Sequence, residues 1–342
     1  MANASNLRPP SSIRHLRPIC ITGPTAVGKS EIALQLAEQL DGEIVSVDSM
    51  QVYRGLDIGT AKPSPAERAR VPHHLIDICD LTESFDVAQY IRLARRAVAE
   101  IQSRGHTSIF CGGTGLYFKA YLSGLGEAPS ANPELRAQLE SMPFATLLHE
   151  LRERDPVAYE KIDKQNPRRV IRAVEVIRLT GKKFSQQRAR WGETTGEPRR
   201  ALLRQGPNPA KGQGSDEALP SKHSFFVLTR QPNDLRRRID ARVDEMFRRG
   251  LVNETRELLQ HGLEQNKTAM QAIGYRQVAE HLRGERSLAE TVELVKTKTR
   301  QFAKRQLTWF RAEKNLQWIE LKAGEQLEDC VQKIAQVVLY AA

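Results

Sequence analysis

Gly23-Pro24-Thr25-Ala26-Val27-Gly28-Lys29-Ser30 satisfies every constrained position of the phosphate-binding pattern G-x-x-x-x-G-K-[ST]. The apolar run 19–22 before it predicts a buried strand, and Ile32, Leu34, Leu36, Ala37 and Leu40 after it recur at helical spacing. Glycines let such a loop wrap closely enough for its N–H groups to face an anion. The helix N-terminus adds partial positive charge, Lys29 adds a full one, and the Ser30 hydroxyl is a ligand for Mg2+, the expected cofactor. A plain Gly-rich turn would need neither Lys29 nor Ser30. The stretch therefore reads as a diphosphate or polyphosphate site.

Working outward, residues 19–125 alternate short apolar runs (19–22, 44–47, 108–111) with helical patterns such as 87–104. That alternation predicts an α/β fold, a P-loop NTPase-like parallel sheet with helices on both faces. Residues 126–191 lose strand character. Helical patterns at 134–140, 145–153, 157–163 and 167–180, punctuated by Pro143, Pro156 and Pro167, predict a mostly helical insertion domain. Residues 192–222, rich in Gly, Pro, Lys and Ser without periodicity, read as a flexible linker. One strand returns at 225–228 and the chain is expected to be helical from Asp234 onward, so that 19–125 and 223–342 form the core. Residues 1–18, with Pro9, Pro10 and Pro18 and no apolar core, read as a disordered tail and not as a secretory signal.

The 342 residues carry 52 Lys and Arg against 41 Asp and Glu, a net +11 that points to a polyanionic partner. No apolar run approaches the roughly 18–20 residues of a membrane helix. Cys20, Cys79, Cys111 and Cys330 form no C-x-x-C pair, a reduced, cytoplasmic usage without a zinc set.

Asp48, Ser49, Met50 and Gln51 follow the second strand, where residues of a parallel sheet line the ligand crevice. Three readings of Asp48 are open here: a turn cap, a magnesium-holding aspartate, or a group acting on the ligand. Cys111-Gly112-Gly113-Thr114-Gly115 ends a further strand, allowing close approach to a ligand and supplying no carboxylate for ATP hydrolysis. His73 and His74 read as turn or hydrogen-bonding residues, since adjacent positions make a poor metal pair. Basic residues gather at Arg168, Arg169, Arg172 and Arg178, interleaved with Val170, Ile171, Val174 and Ile177. They gather again at Lys296, Arg300, Lys304 and Arg305, before Trp309 and Phe310. Cations beside aromatics suit RNA, whose bases stack and whose phosphates pair. Arg236, Arg237, Arg238 and Arg242 form a third cluster, from which one side chain can clamp the phosphate site.

Residues 23–30, Val47-Asp48-Ser49-Met50-Gln51-Val52-Tyr53-Arg54, Asp57-Ile58-Gly59-Thr60-Ala61-Lys62-Pro63, Gly112-Gly113-Thr114-Gly115-Leu116-Tyr117, Ile273-Gly274-Tyr275 and Lys304-Arg305-Gln306-Leu307-Thr308-Trp309-Phe310 occur in order. Together they closely resemble the tRNA dimethylallyltransferase (tRNA isopentenyltransferase) family in its bacterial form, over about residues 19–320. The resemblance implies transfer of the dimethylallyl group from dimethylallyl diphosphate to N6 of adenosine 37, beside the anticodon, in tRNAs reading codons that start with U. It implies Asp48 as general base. Thr25, Lys29 and Arg238 would act on the diphosphate, with Ser30 as the metal ligand. RNA contacts would fall on Asp48, Ser49, Met50, Gln51, Thr114, Arg136, Arg168, Arg169, Val170, Ile171, Arg172, Lys304, Arg305, Gln306 and Trp309, the insertion gripping the anticodon stem-loop. The expected protein is a cytoplasmic monomer that contacts no membrane. Its rivals are a P-loop small-molecule or nucleoside kinase and an RNA-binding ATPase.

Overall fold

The computed structural model describes residues 17–124, 129, 131–187, 224–313 and 316–340. The tail 1–18, save Arg17 and Pro18, and the linker 192–222 expected from the sequence lie outside them. The chain divides into two compact units, 1–118 with 209–342, and 119–208.

The first unit begins with β1 (Ile19–Thr22), the phosphate loop, α1 (Lys29–Gln39) and β2 (Gly42–Val47). It continues through α2 (Pro65–Arg70), β3 (His73–His74), α3 (Val87–Ser103), β4 (Thr107–Gly112) and α4 (Gly115–Ser123). The second unit then contributes α5 (Pro133–Ser141), α6 (Phe144–Arg154), α7 (Pro156–Lys161) and α8 (Pro167–Thr180). The chain returns to the first as β5 (Phe225–Thr229), α9 (Pro232–Arg248), α10 (Leu251–Gln260), α11 (Tyr275–Leu282), α12 (Leu288–Arg311), β6 (Gln317–Glu320) and α13 (Leu327–Tyr340).

The six strands form one parallel sheet in the order β3-β2-β4-β1-β5-β6. Every residue of β1, β2 and β4 is buried, as expected of strands covered on both faces. Because all strands run the same way, the residues that follow β1, β2, β4 and β5 gather at one edge of the sheet. That edge holds Gly23, Asp48, Gly113 and Arg230.

In the insertion the prolines do more than separate helices. Pro133, Pro156 and Pro167 each occupy the first helical turn behind a capping Asn132, Asp155 or Asn166, whose side chain accepts a backbone N–H. Proline has no N–H to lose there and arrives with helical φ. A separate apolar core of Leu139, Leu147, Leu151, Val170, Val174 and Ile177 closes this unit.

Two strands depart from the sequence reading. β6 interrupts the expected helical C-terminus and pairs with β5 at the sheet edge, from Phe226 beside Gln317 to Thr229 beside Glu320. Its exposure alternates, half-buried then exposed, over four residues, too short a pattern to stand out between two helices. β3 is two residues long. There His73 Nδ1 lies 2.7 Å from the Val71 carbonyl and His74 Nε2 lies 2.6 Å from Glu43 Oε2, the hydrogen-bonding role read from the sequence.

Candidate active site

The loop's conformation is set by its glycines and by β5. Gly23 has φ 146°, and a Cβ there would lie 2.5 Å from the Leu228 carbonyl oxygen. Gly28, at φ 110°, caps α1 in the left-handed region that favours glycine. Lys29 follows, half-buried, its Nζ donating to the Pro24 carbonyl at 3.4 Å. Burial pushes the Lys29 ammonium below its usual range. Cys111 and Asp48 oppose that push through their charge, and Arg242 adds to it. Ser30 is exposed at the first turn of α1.

Asp48 takes the turn-capping role. Its Oδ1 accepts from the backbone N–H of Met50 at 2.8 Å and of Gln51 at 3.3 Å, an Asx-type turn. The same half-buried carboxylate acts on Lys29 and Arg242 through its charge. Thr114 ties this strand end to the next: its Oγ1 accepts from Ser49 N at 3.2 Å and its N–H donates to the Val47 carbonyl at 3.1 Å.

Arg238, the arginine expected to act on the diphosphate, touches the phosphate loop, and Arg242 interacts with Asp48 through charge. Arg238 is exposed and donates its Nε to the Ala26 carbonyl of the loop at 3.0 Å. Arg242 lies four residues farther along α9, about 6 Å of helix rise. Burial pushes its guanidinium below the usual range, with Asp48 opposing. Its Nε is buried with no hydrogen-bond partner among the described residues. Lys29 and Arg242 thus form a poorly solvated pair of cations beside a single carboxylate, an arrangement suited to an incoming anion.

The Gly-Gly-Thr-Gly segment makes room for α12. A Cβ on Gly113 would run into the Gln306 amide and one on Gly115 into the Trp309 ring. Gln306 is buried, its Oε1 accepting from Thr25 N at 2.8 Å and its Nε2 donating to the Gly113 carbonyl at 3.1 Å. It therefore joins the phosphate loop to the β4 end. Within 304–310, Lys304 and Arg305 are exposed, Trp309 is half-buried, and Phe310 is fully buried, which removes Phe310 as a stacking surface.

Two further motifs prove to be packing partners. A Cβ on Gly59 would collide with the Tyr275 ring. Gly59 N donates to Tyr275 Oη at 3.0 Å, and Tyr275 Oη donates to Glu254 at 2.6 Å. Buried Lys62 donates to the Tyr53 carbonyl at 2.6 Å and to Asp57 at 2.7 Å, and also pairs with Asp77. Gln51 accepts from Ser46 Oγ at 2.9 Å and donates to the carbonyls of Thr60 and Ala61 at 3.2 and 3.3 Å. These contacts brace the chain that follows Asp48.

In the insertion, Arg136 Nη2 and Arg172 Nη1 each donate to Glu175 at 2.7 Å, and Arg172 also donates to the Pro129 carbonyl at 2.5 Å. Burial raises the Glu175 carboxyl, and the two arginines outweigh it to bring the group below its usual range. Arg178 pairs with Glu150 at 2.6 Å. Val170 is completely buried and Ile171 half-buried in the unit's core, so the Val170 side chain is unavailable to a ligand. Arg168 and Arg169 stand exposed in the first turn of α8.

The IPP transferase family model matches residues 51–313. A tRNA dimethylallyltransferase of Geobacter metallireducens is 43% identical over 310 residues, covering 89% of this chain and 92% of that one. A tRNA dimethylallyltransferase 1 of Citrifermentans bemidjiense is 42% identical over 311 residues, covering 90% and 93%. The crystal structure of a tRNA isopentenylpyrophosphate transferase from Bacillus halodurans superposes with a TM-score of 0.65 at 36% identity, over 96% of this chain and 98% of that one. A eukaryotic dimethylallyltransferase, crystallised acting on tRNA, gives 0.66 at 27% identity, over 89% and 74%. With its loop, its strand-end residues and its relatives in agreement, the chain belongs to the IPP transferase family.

Proposed function

We propose that the chain transfers a dimethylallyl group from dimethylallyl diphosphate to the N6 amine of adenosine 37, beside the anticodon of tRNAs reading codons that start with U. One observation carries the reading: Asp48 is anchored at the strand end beside the phosphate loop and acts through its charge on Lys29 and Arg242. The family and the names of the relatives support it.

The exocyclic amine of adenine is a weak nucleophile because its lone pair is delocalised into the ring. As the amine attacks C1 of the dimethylallyl group, the C1–O bond breaks and its electron pair leaves with the diphosphate. The amine proton passes to the Asp48 carboxylate, whose Oδ1 is anchored by two N–H groups, leaving Oδ2 as the accepting oxygen. Lys29, Arg238, the loop N–H groups and the Thr25 hydroxyl stabilise the charge growing on the departing diphosphate, with Arg242 adding charge beside Asp48.

Ser30, exposed at the helix start, fits a hard cation delivered with the substrate, since magnesium commonly takes one or two protein oxygens together with phosphates. Ser30 would hold Mg2+ there, and the ion supplies further charge neutralisation when bound.

Ser49, Met50, Thr114 and Trp309 flank the place where a flipped adenine enters. Lys304 and Arg305, and on the insertion Arg168 and Arg169, supply charge for the anticodon stem-loop. The reading is of a cytoplasmic monomer, and among the described residues no helix is long and apolar enough to cross a membrane.

Incubation with dimethylallyl diphosphate and unmodified tRNA, followed by nucleoside mass analysis, tests the proposal. It is expected to give N6-isopentenyladenosine and one diphosphate per transfer. Phosphoryl transfer or ATP hydrolysis without a prenylated nucleoside would overturn it.

A further inference from the structure

Arg230 follows β5 directly, and its guanidinium is buried against the phosphate loop, the side chain keeping 5% of its surface. Nε donates to the Val27 carbonyl at 2.8 Å, and Nη1 pairs with Asp234 at 3.1 Å. Arg238 holds the preceding carbonyl, that of Ala26, at 3.0 Å. Two consecutive loop carbonyls are each held by a guanidinium. A Cβ on Gly28 would meet Arg230 Nη2 at 3.7 Å, with Leu321 and Leu327 each at 3.9 Å.

The C=O and N–H of a trans peptide point in opposite directions. With the Val27 oxygen turned onto Arg230, the Gly28 N–H of the same peptide is aimed the other way, toward the hollow that the loop encloses. A carbonyl turned inward would instead repel a diphosphate. Burying a guanidinium is costly, and an apolar side chain of similar size would often pack there at no loss of stability. The charge therefore calls for a use beyond filling space.

We infer that Arg230 is a positioning residue for the diphosphate: it fixes the Val27–Gly28 peptide with its N–H toward the anion. This rests on the reading that the loop holds the diphosphate of the prenyl donor.

The test uses the full chain with Arg230→Gln and Arg230→Lys, and three readouts: prenyl transfer kinetics, equilibrium binding of inorganic diphosphate, and Tm. Arg230→Gln is expected to raise both the KM for dimethylallyl diphosphate and the Kd for inorganic diphosphate by ~10-fold, equivalent to about 1.4 kcal/mol. Its kcat is expected to fall as well, because the loop N–H groups also stabilise the departing diphosphate, while tRNA affinity stays within about threefold of wild type. Arg230→Lys, which keeps the charge and one donor, recovers part of the loss. A lowered Tm with unchanged KM and diphosphate affinity would reduce Arg230 to a structural brace and overturn the inference. Should Arg230→Gln fail to fold, Arg230→Lys decides: a raised KM supports the assignment and a wild-type KM overturns it. A wild-type chain that binds inorganic diphosphate yet never prenylates tRNA would overturn the functional reading while leaving Arg230 testable by binding alone.

Discussion

Asp48 in the sheet unit and Glu175 in the helical insertion are each a carboxylate attended by two cations, with opposite consequences. Glu175 is fully buried, and its two arginines donate to it directly at 2.7 Å, with Asn132 N adding a third bond at 3.0 Å. Both Glu175 oxygens are satisfied within the fold. Asp48 takes its hydrogen bonds from the backbone, at Met50 and Gln51, and meets Lys29 and Arg242 through charge, while Arg242 Nε is left without a partner among the described residues. An arginine count therefore does not locate a binding site. What matters is whether the neighbouring acids consume the donors.

The largest effects are expected where the charges are reserved for the ligand. Asp48→Asn removes the proton acceptor while keeping the turn, and is expected to lower kcat by ~10²–10⁴ with tRNA affinity little changed. Lys29→Ala and Arg242→Gln each remove stabilisation of the leaving diphosphate, at an expected cost of ~10²–10³ in kcat. Single-turnover transfer to tRNA measures all three. If Asp48→Asn lowered Tm and left the rate intact, Asp48 would join Glu175 as a structural acid and the contrast would collapse.

In the insertion the loss is expected in stability. Arg172→Ala leaves buried Glu175 with Arg136 and the Asn132 N–H, at a cost toward the lower end of about 3–5 kcal/mol. Denaturant unfolding measures it, and a Glu175→Gln change in the same chain is expected to restore part of it. A variant of unchanged stability that binds tRNA weakly would return Arg172 to the RNA-contact reading.

Glu43, at the opposite end of β2 from Asp48, is a second structural acid with 2% of its side chain exposed. Burial alone would raise its carboxyl. Two hydrogen bonds from Arg104, at 2.8 Å each, together with His74 at 2.6 Å and His106 at 2.7 Å, reverse this and hold it at about 2. A carboxyl lowered on folding contributes stability that is complete above its ordinary value of 4.5 and is lost as pH falls toward 2. Glu43→Gln is expected to cost on the order of 3 kcal/mol at neutral pH and to flatten the acid limb of the unfolding curve. Unfolding measured from pH 7 down to pH 2 checks this, and an unchanged acid limb would contradict it.

The sheet and the phosphate loop were legible because each rests on local rules: buried strands read as apolar runs, and the loop needs Gly, Lys and Ser at fixed places. The insertion's helices were legible for the same reason, from spacing and proline. What sequence could not supply was the pairing of distant side chains. Arg238 and Arg242 share a spacing motif, yet only three-dimensional placement shows which one meets Asp48. Gln306 reads as one more polar residue in a basic segment until it is seen bridging Thr25 and Gly113, 281 and 193 residues away. Glu175 lies in the same helix as Arg172 and carries the signal that was missed. An acid three residues after an arginine in an apolar stretch is a warning that the arginine is already engaged.

The smallest expected effect separates two arginines of one helix. Arg169 is exposed in the first turn of α8, whereas Arg172, three positions on, is tied to Glu175 and Pro129. If Arg169 meets one RNA phosphate, Arg169→Ala reduces the slope of log affinity against log salt by ~0.7–0.9, through loss of one counterion-releasing contact. Tm and kcat at saturating tRNA are expected to stay at wild-type values, because neither the insertion's core nor the phosphate site loses a partner. Arg172→Ala, by contrast, is expected to lower Tm, and any loss of tRNA affinity should then follow the fraction unfolded, leaving the slope for the folded protein unchanged. Binding titrations at several salt concentrations, run beside thermal melts of both variants, distinguish the two. Equal slopes for wild type and Arg169→Ala would mean that this turn of α8 is a solvated surface, and the insertion's grip on RNA would have to be sought on another helix.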